Sequence, residues 1–382
     1  MTRIASFNVE NLFERPKAFD TADWELGEPA LDAYRELNAL FEKSEYSGTD
    51  KQRMLELLVQ LDIYFINSQG AIRRKNTDAP KWAWLRKNRG KFDREPSDPS
   101  LNIEVIANGR ADWIGWIELA KEPTNEIGVR MTARVIDDVH AQIIGIVEAE
   151  DRPSLIRFNE EFLKTPYAHV MLVDGNDERG IDVGIMTAEG YPIRYIRSNV
   201  DAKDEVGMVF SRDCPQYEVF TPGNEVIHVL VNHFKSQSGG GGEKRKRQAD
   251  WVRQRVDELV KEGKLVVVMG DLNEGHTQEA AYPENLKALF EKDGPLVNCY
   301  GLSGFLVGNK EGTFDSCGIR NRLDYILISK SLESRFRGGG VFRKGLWGTR
   351  QTRPTDWETY EEMTNSSEQA SDHALIYVDL DL

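Results

Sequence analysis

Two polar residues at the end of an apolar run are the first sign of chemistry in this sequence. Residues 265–269 read Leu-Val-Val-Val-Met, and Gly270 is followed by Asp271 and Asn273. A run of β-branched and aliphatic residues predicts a strand that is buried on both faces. A carboxylate and a carboxamide at its end are costly in a core and useful in a site. The alternative is a strand that enters an Asp- and Asn-rich turn, and these two residues alone do not separate the interpretations.

Five further apolar segments carry polar residues at or near one end. They supply Asn8 with Glu10, Glu148, His233, Asp324, and Asp372 with His373. So many segments of this kind predict that strand ends meet at a single cleft. Two histidines and several acids suit general acid–base chemistry beside a hard cation. Glu150 competes with Glu148 as the acid that faces the cleft.

Composition excludes several classes of protein. The chain has 382 residues, 40% hydrophobic and 29% charged, and a net charge of −14, which is typical of one large or two smaller globular domains. This charge excludes a wholly basic nucleic-acid coat protein, but it does not exclude a metal enzyme that meets phosphates through cations. No Walker loop and no Gly-x-Ser-x-Gly motif is present, which disfavours nucleoside-triphosphate motors and serine hydrolases.

The cysteines and the N-terminus bear on location. Three cysteines without paired spacing indicate free thiols in a reducing compartment, and neither a disulfide framework nor a zinc site. No apolar run has the length of a membrane span, and the first residues read as a strand without a signal pattern. We therefore expect a cytoplasmic protein without membrane association.

The region of about 20–130 differs from the rest of the chain. Residues 31–41 and 51–61 have helical apolar spacing, whereas charge, Gly and Pro at 86–100 predict a loop. Trp82, Trp84, Trp113 and Trp116 make this region aromatic. We expect them to pack a small core, and the alternative is a surface that stacks on substrate.

Two stretches concentrate positive charge. One is the basic run Lys244–Arg247, which opens a predicted helix, and the other is the arginine-rich segment at 335–353. Both would grip phosphates if they flank the cleft. The alternative is that each is merely a solvated face.

Six segments, taken together and in order, resemble one known superfamily. They are Phe-Asn-Val-Glu at 7–10, Val-Glu at 147–148, Asn-His-Phe at 232–234, Gly-Asp-Leu-Asn at 270–273, Leu-Asp-Tyr at 323–325 and Ser-Asp-His at 371–373. The set resembles the endonuclease/exonuclease/phosphatase superfamily, which has the deoxyribonuclease-I-like fold. Asn-Val-Glu-Asn-Leu-Phe, Arg-Gly-Ile-Asp-Val at 179–183 and Asn-His-Phe-Lys-Ser look most like its bacterial nuclease-type members.

The resemblance implies a single α/β domain over residues 1–382, built as a four-layer α/β/β/α sandwich of two mixed sheets. The alternation of predicted strands and helices agrees with this layering. One departure is the spacing of Asn8 and Glu148, 148 − 8 = 140 residues, where the family usually has a few tens. We therefore predict a large, Trp-containing insertion at about 20–130, which either caps the cleft or decorates the fold.

The resemblance also implies roles for individual residues. The expected ligands of Mg²⁺ or Mn²⁺ are Asn8, Glu10, Glu148 and Asp372. The expected catalytic residues are His233, Asp271, Asn273, Asp324 and His373. Among these, Asp271 would orient or deprotonate water, Asn273 would donate to the phosphoryl oxygens, and Asp324 would hold the imidazole of His373. The expected substrate-binding residues are Arg179, Asp182, Asn232 and Lys235, although Arg179 and Asp182 would alternatively form a buried ion pair.

Together these features predict a divalent-metal-dependent nuclease that cleaves DNA or RNA with an activated water. The alternative is a phosphatase or phosphodiesterase of the same fold that acts on a small or lipid phosphoester. A non-catalytic binding module is disfavoured, because it would not need every acid, base and metal position. We predict a nucleic-acid partner and no protein partner.

Overall fold

The computed structural model describes residues 1–10, 12–19, 24–177, 180–237 and 240–382. The strands, in chain order, are β1 (Thr2–Asn8), β2 (Glu14–Pro16), β3 (Tyr64–Ile66), β4 (Ile72–Arg74), β5 (Ala83–Arg89), β6 (Asp93–Arg94), β7 (Glu104–Val105), β8 (Ile114–Leu119), β9 (Lys121–Pro123), β10 (Ile143–Ala149), β11 (His169–Val173), β12 (Asp182–Thr187), β13 (Ile193–Arg197), β14 (Lys203–Asp204), β15 (Gly207–Met208), β16 (Gln216–Phe220), β17 (Val226–His233), β18 (Leu265–Asp271), β19 (Leu296–Asn298), β20 (Phe305–Leu306), β21 (Asp324–Ser329), β22 (Phe336–Phe342) and β23 (Leu375–Leu380). The α-helices are α1 (Trp24–Phe41), α2 (Gly48–Gln60), α3 (Glu126–Val139), α4 (Arg152–Phe162), α5 (Gly242–Lys261), α6 (Lys287–Phe290) and α7 (Lys330–Glu333).

Two large mixed sheets carry the fold. The first has seven strands in the order β11-β12-β10-β1-β23-β22-β20, with β1 parallel to β10 and antiparallel to β23. The second has six strands in the order β13-β16-β17-β18-β21-β19, with β17 parallel to β18 and β18 antiparallel to β21. Because parallel strands end at the same edge, β1 with β10 and β17 with β18 each present their C-terminal residues together.

The sheets pack face to face through an apolar core. Ile143 and Val147 of one sheet and Val229 and Val267 of the other belong to this core and are fully buried. The sheets approach so closely at Gly145 that an added Cβ would lie 2.6 Å from Met269 Cε. Helices α3 and α4 cover the outer face of the first sheet, and α5 and α6 cover that of the second. This arrangement confirms the predicted α/β/β/α sandwich.

The chain divides into two compact units. Unit 1 comprises Met1–Phe13 and Thr124–Leu382, and unit 2 comprises Glu14–Pro123. Unit 1 contains both large sheets. None of the helices in the described ranges is long and apolar enough to cross a bilayer.

Unit 2 has its own core between helices α1 and α2 and several two-stranded sheets. Both helices were expected from the apolar spacing. Trp82 and Trp113 are buried in this core, which confirms the packing interpretation for these two residues. Trp84 is half-buried and Trp116 is 45% exposed. The loop predicted at 86–100 is wrong in part, because Lys87–Gly115 pairing extends β5 to Arg89 and β6 follows.

Candidate active site

The polar strand ends converge at one edge of unit 1, as the strand directions require. His233 pairs in register with Asp271, and Asp271 pairs with Asp324 at the start of β21. Across the sandwich, Asn8 Nδ2 donates to Asp271 Oδ2 over 3.2 Å. We call this region the polar edge; it consists of Asn8, Glu10, Glu148, His233, Asp271, Asn273, Asp324, Asp372 and His373.

The backbone around Gly270 fixes the position of Asp271. Gly270 has a φ of 134°, and a Cβ there would lie 1.9 Å from Asn232 O, so only glycine fits. Asn273 adopts a left-handed φ of 55°, a conformation that Asn tolerates better than most residues. Its backbone N donates to Asp271 Oδ1 over 2.8 Å, so the turn itself orients the carboxylate.

The side-chain amide of Asn273 donates both of its hydrogen bonds to protein groups. Nδ2 donates to Asp271 Oδ2 and to the backbone oxygen of Phe234, both over 3.1 Å. An amide group has only two hydrogens to donate. In this arrangement Asn273 therefore orients Asp271, whereas the sequence had suggested donation to phosphoryl oxygens.

His373 and Asp324 form a buried pair. Nδ1 of His373 lies 2.8 Å from Asp324 Oδ2, and the Asp324 backbone N donates to Thr313 Oγ1 over 3.2 Å. Ser371 Oγ accepts from His373 N and donates to the backbone oxygen of Asn8. The pair holds Nδ1 of the imidazole, which leaves Nε2 to face the polar edge.

A second imidazole approaches Asp271 from β17. His233 Nε2 lies 3.3 Å from Glu148 Oε1 and 3.8 Å from Asp271 Oδ2. His373 Nε2 also lies 3.8 Å from the same Asp271 oxygen. Two buried imidazoles thus converge on one carboxylate oxygen at distances too long for hydrogen bonds.

Three carboxylates lie beside this pair of imidazoles. The backbone N of Asp372 donates to Glu10 Oε2 over 2.9 Å, and Glu10 N donates to Asn8 Oδ1 over 3.1 Å. Glu148 occupies the irregular pairing between Val147 and Ala149. Glu10 and Glu148 have positive φ values of 49° and 64°, and strained non-glycine residues of this kind cluster at functional sites.

Glu148 and Glu150 have different tasks. Glu150 Oε1 accepts hydrogen bonds from the backbone N of Leu12 and of Phe13, over 2.9 Å and 2.6 Å. It thereby holds the loop that follows β1. Glu148 is the acid that faces His233. The sequence left open whether Glu148 or Glu150 faces the cleft; Glu150 instead binds the backbone of the loop after β1.

The electrostatics show an excess of buried negative charge. Burial, followed by the neighbouring charges of Glu10 and Glu148, raises the pKa of Asp372 well above its usual range. Burial also raises the pKa of Asp271 to about 7, against the lowering effect of His373. Burial would lower the pKa of His373, but the carboxylates of Asp324 and Asp271 raise it well above its ordinary value. A set of crowded oxygen donors like this suits a hard cation.

Three of these groups, Asp271, Asp324 and His373, offer ligand atoms within 4.8 Å of one another. The 2.8 Å contact between His373 and Asp324 already engages one atom of each. The carboxylates of Glu148 and Asp372 lie beside the imidazoles, at 3.3 Å from His233 Nε2 and 3.9 Å from His373 Nε2. With Glu10 they are further oxygen donors for a cation at the polar edge.

Three of the four predicted substrate-binding residues have partners outside this cluster. Asn232 lies between Val231 and His233 on β17, so its side chain points to the opposite face, and its Nδ2 donates to Leu230 O over 3.1 Å. Asp182 accepts from Gly175 N over 2.8 Å and faces Asp174. Lys235 Nζ donates to Ser236 Oγ over 3.3 Å. Arg179 lies outside the described residues.

The basic run is dispersed by its helix. Arg245 is buried, forms an ion pair with Glu274 at 2.6 Å and donates to the backbone oxygens of residues 235, 236 and 240. Lys244 donates to Met208 O, and Arg247 pairs with Asp204. Residues on successive helical positions point about 100° apart, so a contiguous charge run does not form one cationic face here. The idea that this run grips phosphates is wrong for Arg245.

The arginine-rich segment is likewise committed to internal partners. Its pairs are Arg335 with Glu225, Arg337 with Asp381, Lys344 with Glu358, and Arg350 with Asp356. Arg343 is buried and donates to three backbone oxygens between residues 307 and 312. In both stretches, cations that were expected to grip phosphates are engaged by partners within the protein.

Two supporting residues escaped the sequence analysis. Arg212 is buried, pairs with Asp177 at 2.8 Å, and donates to Phe234 O, the same carbonyl that accepts from Asn273. Thr313 is buried and holds the backbone of Asp324. Neither residue follows an apolar strand, which was the pattern used to find site residues. The sequence marks Arg212 only as a charged residue next to a short apolar segment.

Comparison with known proteins identifies the family of the chain. The sequence profile of the endonuclease/exonuclease/phosphatase family matches residues 91–344, more than half of the chain. None of the curated proteins matches significantly. Among solved structures, a mannosyl-6-phosphatase from Bacteroides thetaiotaomicron is similar, with a TM-score of 0.50 and 17% identity over 67% of this chain and 92% of that one.

Two further structures are more distant. A family protein from Bacteroides thetaiotaomicron has a TM-score of 0.49 and 18% identity over 66% of this chain and 88% of that one. Truncated TDP2 from Caenorhabditis elegans has a TM-score of 0.44 and 16% identity over 66% and 90%. At such identities a structural likeness indicates a shared fold only. Because the family profile matches and the two-sheet sandwich agrees with it, the chain belongs to the endonuclease/exonuclease/phosphatase family and is a phosphoric-ester hydrolase.

Proposed function

We propose that this chain is a divalent-metal-dependent phosphodiesterase that cleaves nucleic acid with an activated water. The observation that carries the proposal is the pair of buried imidazoles, His233 and His373, each with Nε2 3.8 Å from Asp271 Oδ2. At this spacing the groups do not hydrogen-bond to each other directly, and one phosphoryl oxygen or water lying beside them can contact both an imidazole and the carboxylate. Imidazole N–H groups would donate to the oxygens as negative charge builds in the transition state.

Asp271 is the group best placed to accept a proton from water. Its pKa is raised to about 7, which makes its carboxylate a stronger base near neutral pH than an ordinary aspartate. Three hydrogen bonds, two from Asn273 and one from Asn8, hold its oxygens in place. A base that is fixed in this way needs little reorganisation to reach the transition state.

His373 would contact the phosphate and return a proton to the leaving oxygen. Asp324 keeps the imidazole oriented and stabilises its protonated form, consistent with the raised pKa of His373. Both side chains are nearly fully buried. Water exclusion strengthens their interactions with a bound phosphate.

The carboxylates of Glu148, Glu10 and Asp372 would hold the metal, supported by Asn8. Their oxygens are the donors that Mg²⁺ and Mn²⁺ prefer, and members of this family generally use divalent metals. A bound cation would supply charge that polarises a phosphoryl oxygen. The identity of the ion, Mg²⁺ or Mn²⁺, is part of the proposal.

A cationic group beside Asp324 favours a substrate that extends beyond the scissile phosphate. Arg322 Nη1 lies 3.3 Å from His276 Nε2, and its guanidinium packs over Tyr300. His276 follows Asn273 by three residues, and Arg322 precedes Asp324 by two. Arg320, in the same segment, is exposed. A neighbouring phosphate of a polymer would meet these residues, whereas a small ester would not reach them.

The second candidate function is hydrolysis of a small phosphoester. It is favoured by the internal pairing of the basic run and the arginine-rich segment, because these residues are not available to a long polyanion. A cytoplasmic location is also retained as a prediction, since the three cysteines are free and buried.

One set of rate measurements separates these functions. Initial rates are compared on single-stranded DNA, duplex DNA, RNA, bis-p-nitrophenyl phosphate and p-nitrophenyl phosphate, with Mg²⁺, Mn²⁺, Zn²⁺ or EDTA. We expect hydrolysis of the polymers and the diester, loss of activity in EDTA, and recovery with Mg²⁺ or Mn²⁺. Full activity in EDTA, or activity with Zn²⁺ alone, contradicts the proposed metal site. Hydrolysis of the monoester alone leads to the second function.

A matched pair of variants tests the polymer surface. Arg320→Ser should raise the KM for single-stranded DNA several-fold and leave the small diester unaffected. Arg337→Ser removes the same charge from an exposed residue of β22 that pairs with Asp381, and it should not change the KM for either substrate. Equal behaviour of the two variants on DNA would argue against contact between Arg320 and the polymer.

A further inference from the structure

Unit 2 contains a cavity whose lining includes none of the proposed catalytic residues. Its volume is about 720 Å³, within the range of pockets that bind small molecules. The residues on its wall include Tyr64, Asn76, Trp84, Lys87, Lys91 and Trp113. All belong to unit 2, so the cavity can be considered without reference to the polar edge.

One wall of the cavity is aromatic. Tyr64, Phe92 and Trp113 are buried members of the unit 2 core, and the rings of Phe92 and Trp113 lie 4.7 Å apart. Trp84 is only half-buried, and Arg86 lies over its ring at 4.9 Å. Flat aromatic surfaces of this kind bind nucleobases by stacking, at about 1–3 kcal/mol for each base.

The cavity lining carries four cations, Arg74, Lys75, Lys87 and Lys91, against the two carboxylates Asp78 and Asp93, in a protein of net charge −14. Arg74 pairs with Asp93, and Lys75 pairs with Asp62 at 2.5 Å. Lys87 is exposed, and so is Lys91; neither forms an ion pair with another residue in the described ranges. These two ammonium groups are therefore available to an anion at the mouth of the cavity.

A polar side chain adds a third feature. Asn76 lies on the cavity wall and offers both a donor and an acceptor to the edge of a base. Trp113 is fully buried, so its Nε1 is not accessible to a molecule in the cavity.

We propose that this cavity binds a nucleotide, with its base against Trp84 and its phosphate at Lys87 and Lys91. The inference rests on the proposed function for the source of the ligand, since a strand of substrate presents this chemistry. A free nucleotide presents the same chemistry. The tests below distinguish the two sources, and they also separate a failure of the inference from a failure of the proposed function.

The first test is binding without turnover. The full-length chain is titrated in EDTA with a fluorescein-labelled single-stranded DNA hexamer, and anisotropy gives the Kd. Unlabelled hexamer, AMP and mannose 6-phosphate are then used as competitors. We expect AMP and unlabelled hexamer to displace the label and mannose 6-phosphate to fail. Displacement by the sugar phosphate as effectively as by AMP would overturn the role of the base.

Variants then locate the site. Lys87→Gln with Lys91→Gln, and Trp84→Leu, should each raise the Kd at least fivefold. The control is Lys43→Gln with Lys121→Gln, which removes the same charge from exposed residues of unit 2 that do not line the cavity, and it should change the Kd less than twofold. The lysine variants alter only exposed side chains, so they keep the test decisive even if Trp84→Leu does not fold. An unchanged Kd in the double lysine variant overturns the inference.

Turnover of bis-p-nitrophenyl phosphate is measured in parallel with Mg²⁺ and should be equal in all of these variants. If the cavity variants weaken binding while nucleic acid is never cleaved, the cavity assignment stands and the proposed function fails. If nucleic acid is cleaved and the cavity variants bind it normally, the proposed function stands and the cavity assignment fails. AMP is also titrated directly by calorimetry, and binding of AMP without binding of the hexamer assigns the cavity to a free nucleotide.

Discussion

The polar edge and the basic run are opposite ways to arrange charge. The polar edge collects residues from Asn8 to His373, which are almost the whole chain apart, into contacts of 2.8–3.8 Å. The basic run has four neighbouring cations, Lys244–Arg247, and the structure sends them to different partners. Proximity in sequence and proximity in space are thus reversed in the two regions.

The difference has a physical origin in the elements that carry each region. Parallel strands end at a common edge, so residues at their ends meet whatever their sequence separation. A helix turns each successive residue by about 100°, so neighbouring charges diverge. On an acidic protein, each diverging cation also finds a carboxylate or a helix-external carbonyl nearby, as Arg245 and Arg247 do.

The largest expected effect comes from removing a group at the polar edge. His373→Ala and Asp271→Asn should each lower kcat at least a hundredfold, about 2.7 kcal/mol of transition-state stabilisation. His373→Ala also leaves the buried carboxylate of Asp324 without its partner, so thermal unfolding and circular dichroism establish that each variant is folded at the assay temperature before its rate is compared. The rates are measured on bis-p-nitrophenyl phosphate with Mg²⁺. The control is His140→Asn, an exposed histidine at the end of α3 with a left-handed φ of 53°, which should be near wild type. A folded variant of His373 or Asp271 with a normal rate would remove that residue from the mechanism.

The next largest effect concerns the basic run and is one of stability. Arg245→Met leaves the buried carboxylate of Glu274 without its cation, which typically costs about 3–5 kcal/mol. Lys246→Met breaks only the exposed pair with Asp250, which is worth less than about 1 kcal/mol. Urea unfolding of the two variants measures the contrast. Equal unfolding midpoints would mean that the basic run is a solvated face after all.

A smaller effect depends on pH. Burial, with Asp174 and Asp177 nearby, raises the pKa of Asp182 to about 7. The folded state therefore binds this proton more tightly than the unfolded state, and stability falls as pH rises from about 4 to about 7. Asp182→Asn keeps an acceptor for Gly175 and removes the charge, so it should stabilise the protein at pH 8 by roughly 1–4 kcal/mol and have little effect at pH 4. Thermal unfolding at both pH values provides the measurement, and destabilisation at pH 8 would show that the carboxylate is needed in its charged form.

The smallest effect is expected for Arg247→Ser. Because Arg247 pairs with Asp204, the dependence of DNA cleavage on salt should stay the same as in the wild type. Each phosphate contact that is lost would reduce the log–log slope by about 0.9 for duplex DNA. A salt series of initial rates on duplex DNA tests this, with Arg320→Ser as the comparison that should reduce the slope. A reduction in Arg247→Ser of that size would return the basic run to the substrate-binding surface.

Local patterns in the sequence located buried strands and the polar residues at their ends, whereas the layering of the fold was implied by the family resemblance. Buried strands such as 265–269 are visible as apolar runs, and helices α1 and α2 are visible as periodic ones. Polar residues at the end of such strands stand out because the preceding residues must be buried. The order of six short motifs then added the family, which the profile match confirms.

The sequence by itself determined which residues stand at the strand ends, because burial and periodicity are local properties of the chain. Only the tertiary structure decided how each polar atom is used. Asn232 and His233 are neighbours in one motif, yet strand alternation points them to opposite faces, and the amide of Asn273 is consumed by Asp271 and Phe234. Glu148 and Glu150 differ in their partners, because the loop after β1 donates hydrogen bonds to Glu150 and Glu148 faces His233. Such assignments depend on partners far away in sequence, and no local pattern contains the register and packing that bring those partners together.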